Sequence, residues 1–188
     1  IFGALNAGIT AFLNHLGTGN LVLLTAILAG MMSIDMGGPF NKAAYVFASG
    51  AFANNPHDPV NAILMAAVMV GGMVPPFATA IGTVLFKNKY TESERRAGIS
   101  NWILGWSFIT EGAIPFAAAD PGRVIPSCVL GSAIAGFIVG LTKVGIPAPH
   151  GGFWVAPLAT NIVWYFIAVI VGSLVSGVVL SLWKKAVK

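Results

Sequence analysis

Between Val60 and Phe86 the chain runs without a charged side chain, and Val124–Thr142 and Pro157–Trp183 repeat the pattern. About 20 apolar residues suffice to cross the hydrocarbon core of a bilayer as a helix. At that depth no water satisfies backbone N–H and C=O groups, so a run of this length must bond them within itself. The rest of the sequence agrees. Hydrophobic residues make up 56% of it and charged residues 9%, with a mean hydropathy of +0.84, whereas soluble domains carry about 25% charged residues. A soluble core could not hide this much apolar surface, so lipid must cover the remainder. The predicted fold class is therefore all-α: a polytopic transmembrane helical bundle.

Val60–Phe86 would extend about 40 Å as a straight helix, and Pro75-Pro76 is predicted to kink or split it. Leu21–Ile34 reads as one more helix, closed by Asp35 and Gly37-Gly38-Pro39, and Asn41–Asn54 resumes a helical pattern. Two stretches do not read as simple spans. Ile103–Ala119, ILGWSFITEGAIPFAAA, holds the carboxylate of Glu111 next to Thr110, Gly112 and Pro115. A charge at bilayer depth costs about 3 kcal/mol on insertion scales, so such groups face cavities and are functional candidates. Gly145–Pro157, GIPAPHGGFWVAP, sets His150 among prolines and glycines between two long apolar runs. Non-helical backbone at membrane depth persists only where protein buries it or water lines it. Both stretches are thus candidate walls of a cavity.

Positive charge sets the sidedness. Lys87, Lys89, Arg95 and Arg96 form one cluster and Lys184, Lys185 and Lys188 another, and both are predicted to be cytoplasmic. Three full crossings between them would separate the clusters; two keep them together. The Glu111 segment is therefore expected to be a re-entrant hairpin. The net charge of +4 is a topology signal of this kind and does not point to nucleic acid. The chain opens at Ile1 inside an apolar segment with no signal-peptide pattern, which reads as a piece of a longer protein.

The chemistry-bearing residues are few. Asp35 and Lys42 flank DMGGPFNK. This is either an interfacial turn facing headgroups or a ligand loop, in which glycines admit backbone and Asn41 and Lys42 bind or brace the site. Lys42 could also pair with Asp35. His150 is either a histidine in a wet loop or a residue held in shape by its neighbours. His15 and His57 sit at apparent helix ends. The three histidines have no metal-site spacing. Glu92, Glu94, Arg95 and Arg96 read as a solvated helix face. Cys128 has no partner and reads as a small core residue. No nucleotide-binding loop and no serine-hydrolase motif is present, and no cofactor is implied. Gly136–Gly140 suits helix packing.

Three separated motifs occur in one order: Asp35–Ala44, DMGGPFNKAA; Ile109–Phe116, ITEGAIPF, followed by Asp120-Pro121; and Pro147–Gly152, PAPHGG. With them the chain resembles the fructose-type membrane component, enzyme IIC, of the bacterial phosphoenolpyruvate-dependent sugar phosphotransferase system, across essentially all its residues. The resemblance implies a single transmembrane domain over 1–188, lacking early helices, with re-entrant hairpins and kinked helices. It implies a multi-pass protein of the bacterial inner membrane, embedded in lipid, that takes up fructose or a fructose-like sugar and releases it as a phosphate. The donor would be a phosphocysteine on a IIB partner, charged through IIA, and a homodimer is expected. By motif, the catalytic roles fall on Glu111 and His150. Asp35, Asn41, Lys42, Thr110, Gly112 and Gly151 are the candidate substrate-binding residues.

The chemistry is coherent on its own terms. A carboxylate can accept hydrogen bonds from sugar hydroxyls and deprotonate the one that attacks phosphorus, with His150 orienting it or stabilising charge. Positioning should supply most of the rate. Trp102, Trp106 or Trp154 could stack on a sugar face or anchor at the membrane interface. The competing reading is an ion-coupled secondary transporter of a small polar solute, which also uses broken helices and midplane carboxylates.

Overall fold

The computed structural model describes residue 11 and residues 20–186, and every regular element among them is helical. The helices are α1 Leu21–Met31, α2 Pro39–Asn54, α3 Pro59–Leu85, α4 Glu92–Trp106, α5 Ile114–Ala119, α6 Pro121–Thr142 and α7 Ile162–Trp183. Short 3-10 turns lie at Lys87–Lys89, Thr110–Ala113 and Gly152–Leu158. The starts are written locally. Proline opens α2, α3 and α6, where its missing N–H costs nothing. Side chains of Asn20, Asp58, Thr91 and Asn161 cap α1, α3, α4 and α7. Three helices, α3, α6 and α7, are long and apolar enough to cross a membrane. His15 lies outside the described residues; His57 is exposed between α2 and α3.

Helix α3 is the axis of the bundle. Every residue from Ala62 to Ala80 is buried, as expected of a helix apolar on all sides, and the other long helices pack around it. The prolines do not split it: α3 is continuous over Pro59–Leu85. Pro75 and Pro76 lack N–H groups, so the carbonyls four residues earlier, Gly71 and Gly72, have no helical donor. Neighbouring hydroxyls supply one. Ser132 Oγ of α6 donates to Gly71 O at 2.8 Å, and Ser33 Oγ, 2.5 Å from Ser132 Oγ, approaches the same carbonyl at 3.5 Å. Thr110 Oγ1 donates to Gly72 O at 2.9 Å. Satisfied from outside, the helix has no reason to break.

The glycines make these approaches possible. A Cβ on Gly71 would run into the backbone of Ala29, and one on Gly72 into the Phe108 ring and Thr110 Oγ1. On α6, Gly136 and Gly140 admit the backbone of α1 in the same way, which is the packing expected of that pair.

The Glu111 segment is a hairpin. Helix α4 climbs from Glu92 and ends in a turn with Ile109 N on Leu104 O at 2.9 Å and Phe108 N on Gly105 O at 3.3 Å. This is a Schellman motif with Phe108, at φ 58°, where glycine is usual. The chain then descends through Thr110–Ala113 and α5. It returns to the end from which it left: Thr91, Glu94, Asp120, Arg123 and Lys184 line one cleft. The hairpin thus brings the 87–96 loop and the Lys184 end of α7 together.

A latch holds that end. Lys184 Nζ lies 2.7 Å from Glu94 Oε1, with their side chains only 10% and 11% exposed, and 5.1 Å from the centre of the Tyr90 ring. Tyr90 Oη and Ser181 Oγ are 3.0 Å apart. The expectation of a wholly solvated acidic and basic face needs correcting here. Glu92 and Arg96 do form an exposed pair, but Glu94 completes a capping box with Thr91 and grips Lys184. Cys128 is a buried free thiol.

Gly72→Ala should lower stability by about 1–3 kcal/mol by forcing the hairpin off α3. Gly50→Ala, on an open face of α2 with nothing near, should raise it by up to about 1 kcal/mol; thermal unfolding in detergent separates the two. Burial also pushes the Tyr90 phenol from 10.0 up to about 12. Over that window the unfolded chain releases the proton first, so stability should fall as pH rises through it. Tyr90→Phe should flatten that part of the unfolding-against-pH curve.

Candidate functional site

Glu111 and His150, far apart in sequence, line one cavity of about 210 Å³ with Met32, Asn41, Tyr45, Phe108, Ile109 and Thr110. That volume equals about seven waters, suited to a small polar molecule. A larger cleft of about 430 Å³ lies at the latch end. Most of its charges are paired, Lys184 with Glu94 and Arg123 with Asp120 at 2.8 Å, which leaves Lys185 as its one unpaired charge among the described residues.

The hairpin sets the depth of Glu111. Thr110 is 3% exposed and bonded to Gly72, the central residue of the 27-residue α3. By helix rise this point lies about 20 Å from either helix end. Glu111 itself is exposed, facing a cavity instead of apolar side chains, and none of the ion pairs among the described residues uses it. Its acceptor capacity is free for a ligand.

The turn before α2 packs against it. Gly37, at φ 113°, lies so close that a Cβ would sit 2.8 Å from Glu111 Oε1. Asp35 serves the helix: its carboxylate accepts Phe40 N at 2.7 Å and Asn41 N at 2.9 Å. It performs the cap that Gly38, with no side chain, cannot. Gly38 must be small because a Cβ there would meet Asp35 Oδ2 at 2.5 Å. Lys42 is exposed, does not line the cavity and forms no ion pair with Asp35, so the Asp35–Lys42 pairing that the sequence allowed is not present. Asn41 does line the cavity, with its Nδ2 donating to Met32 O at 2.7 Å.

The PAPHGG loop closes the opposite wall. Gly145 and Thr160 are cross-bonded at its neck, Gly145 N to Thr160 Oγ1 and Thr160 N to Gly145 O, each 2.9 Å. Ile146 N ties it to Ala62 O at 2.9 Å, and Tyr45 Oη donates to Pro149 O at 2.9 Å. Gly152, at φ 59°, presses on Trp106 and Phe108 so closely that a Cβ would collide with backbone. His150 lies against the Phe108 ring at 4.9 Å between centroids, and Tyr45 flanks that ring at 6.3 Å.

Of the expected binding residues, Asn41, Thr110, Glu111 and His150 meet at the cavity, while Asp35, Lys42, Gly112 and Gly151 do not line it. Gly112 packs on Asn101 of α4, and Gly151, at φ 136°, shapes the loop. Trp102, Trp106 and Trp154 lie away from the cavity, among Phe77, Phe153 and Phe166. Tyr45, Phe108 and Met32 were missed from sequence. Tyr45 follows Asn41 by four residues, one helical turn, which was the available signal; nothing marked Phe108. Among the described residues no three acidic, histidine or cysteine side chains converge as metal ligands would.

The chain is 48% identical over 179 residues to the "PTS system fructose-specific EIIABC component" of Bacillus subtilis (strain 168), which is 95% of this chain and 27% of that protein. It is 47% identical over 180 residues to the "Fructose permease IIC component" of Bacillus amyloliquefaciens, 96% of this chain and 57% of that protein. It is 49% identical over 187 residues to the "PTS system fructose-specific EIIB'BC component" of Rhodobacter capsulatus, 98% of this chain and 32% of that protein. The chain thus spans between about a quarter and somewhat over half of the length of these relatives. No protein-family model matches, and no solved structure matches.

Asp35→Ala should cost about 1–2 kcal/mol by uncapping α2, whereas Lys42→Ala should stay within about 0.5 kcal/mol. Chemical denaturation of the two variants in detergent checks both.

Proposed function

We propose, for a chain that belongs with the fructose-type enzyme IIC proteins over the segment it shares with them, that the Glu111–His150 cavity binds fructose or a fructose-like sugar and presents it for phosphorylation. The observation that carries this reading is that one cavity, level with the middle of α3, joins the two residues on which the family's catalytic roles fall. The relatives' names support it: they are fructose-specific components, and several join IIB to IIC in one protein. The ion-coupled alternative finds no support among them.

The chemistry follows from the cavity. Glu111 accepts hydrogen bonds from sugar hydroxyls and takes the proton of the one that attacks. A new O–P bond forms as the S–P bond of the IIB phosphocysteine breaks, and the thiolate leaves with that electron pair. His150, held on Phe108, orients the nucleophile or stabilises developing charge. Phosphoryl transfer demands alignment and charge stabilisation more than covalent help from the acceptor side. The donor is a protein, consistent with a sequence carrying no nucleotide loop.

The wider arrangement is part of the same proposal. The three long helices cross the bacterial inner membrane, and the latched loop 87–96 and Lys184–Lys185 face the cytoplasm, where IIB and IIA act. The α4–α5 hairpin enters from that side and returns to it. The apolar faces that the bundle leaves open, Ile99, Ile103, Phe137, Leu141 and Val163 among them, meet lipid or a second subunit in a homodimer. The domain is one unit of a longer enzyme IIC.

Membrane vesicles carrying the parent protein, supplied with phosphorylated IIB and labelled fructose, should accumulate fructose phosphate. Accumulation of free sugar driven by an ion gradient would overturn the reading. Glu111→Gln should lower phosphorylation by about 100-fold or more while the protein stays folded.

A further inference from the structure

We propose that Thr110 is a positioning residue for Glu111, acting through the backbone carbonyl that Pro76 leaves free; this rests on the functional reading above. Sequence pattern offered Thr110 as a group that touches the sugar. Its hydroxyl proton is otherwise engaged. Thr110 is almost wholly buried, and its Oγ1 donates to Gly72 O at 2.9 Å. A hydroxyl has one proton to give, so this one is spent on the helix.

The geometry makes the bond consequential for its neighbour. Thr110 precedes Glu111 in the chain and opens the short Thr110–Ala113 turn. Its partner lies at the centre of α3, the element with the least freedom to move, since every residue around it is buried. The preceding residues are held as well. Phe108, in left-handed backbone, rests its ring where a Gly72 Cβ would be. Gly37 closes on the carboxylate from the other side. Glu111 is therefore fixed between an anchored turn and a glycine, with its height along α3 set by the Thr110–Gly72 bond.

Pro76 supplies the other half of the device. Any other residue at 76 would bring an N–H that bonds Gly72 O within the helix, and the carbonyl would no longer require Thr110. The tandem Gly-Gly and Pro-Pro at four-residue spacing produces two such free carbonyls. Ser132 and Ser33 take the first for the α1–α6 side of the bundle, and Thr110 takes the second for the site.

This predicts a dissociation between stability and turnover. In vesicles carrying the parent protein with phosphorylated IIB, Thr110→Val should lower kcat for fructose about tenfold or more, because small misplacements of a reacting group are costly. Thr110→Ser, which keeps the hydroxyl, should stay within about twofold. Thr110→Val should also lower the unfolding temperature, leaving Gly72 O unpartnered. In Pro76→Ala the helix satisfies that carbonyl, so adding Thr110→Val should cost little further stability yet still slow turnover. Wild-type kcat in Thr110→Val, or recovery of both stability and turnover in the double variant, would overturn the proposal. Carbodiimide labelling of Glu111, read by mass spectrometry, needs no sugar chemistry. If the unaltered protein fails to phosphorylate fructose, the functional reading falls. Positioning is then judged by labelling alone: altered Glu111 reactivity in Thr110→Val and not in Thr110→Ser supports it, and unaltered reactivity overturns it.

Discussion

Two backbone carbonyls at the centre of α3 have no donor within their own helix, and the architecture is organised around satisfying them. Leaving a buried acceptor unpaired costs about 1–3 kcal/mol, and more where lipid surrounds the helix and no water can help. Gly71 O recruits Ser132 and Ser33; Gly72 O recruits Thr110. The first bond joins the central helix to α6 and the segment after α1, the second to the hairpin that carries Glu111. A pair of prolines that would weaken an isolated helix thereby becomes a pair of docking points. The glycines that bear these carbonyls serve the same packing: a Cβ on Gly72 would meet Thr110 Oγ1, and one on Gly71 the backbone of Ala29.

Hydrophobic burial contributes little to holding helices together when lipid is the alternative environment, so close backbone approach and hydrogen bonds take over. The contacts follow that rule. Gly131 and Gly172 bring α6 and α7 together, and Gly177 brings α7 onto Ala78 O of α3. Asn101 Nδ2 donates to Thr79 Oγ1 at 2.8 Å, tying α4 to the same central helix. Against this tight frame the site residues sit on irregular backbone. Two of the non-glycine residues with positive φ stand in the turns around Glu111: Met36 precedes Gly37, which closes on the carboxylate, and Phe108 leads into Thr110. Such conformations cost of order 1–3 kcal/mol each and persist only where the surroundings over-determine them.

Much of this was legible in the sequence. The long apolar runs give α3, α6 and α7 to within a few residues, because hydrophobic length is a direct physical demand of the bilayer. The hairpin was legible from charge alone: two basic clusters expected on one side leave room for only two full crossings, and the bond between Lys184 and Glu94 holds the loop and the tail that carry them at one end of the bundle. What resisted reading was the destination of individual polar groups. Asp35 looked like a ligand residue and is a helix cap, since a carboxylate four residues before a proline-led helix can serve either purpose until the turn is folded. Glu94 looked solvated and is gripped by a lysine distant in sequence. Thr110 looked like a binding hydroxyl, because nothing in a linear string shows that Pro76 has left a carbonyl waiting for it. The aromatic support of His150, Phe108 beside Tyr45, carries no motif at all.

The exposure of Glu111 alters what its charge costs. Sequence set an ionised group in an apolar stretch, where its cost predicts that it faces a cavity. The structure sets it on a cavity wall, so water can solvate the carboxylate until a ligand enters. The expense is deferred to the binding step. In the proposed site, a sugar hydroxyl that replaces water must supply comparable hydrogen bonds, or the carboxylate resists being covered. On the proposed reading this favours a polyhydroxylated ligand, because an apolar molecule of the same size would strip the charge without replacing its partners. In the proposed reaction the same exchange would aid transfer, since electrostatic interactions strengthen as water leaves. For the proposed group transfer, a carboxylate pinned at fixed depth but open to water is thus better suited than a buried one, which would have to meet its desolvation cost in the empty protein.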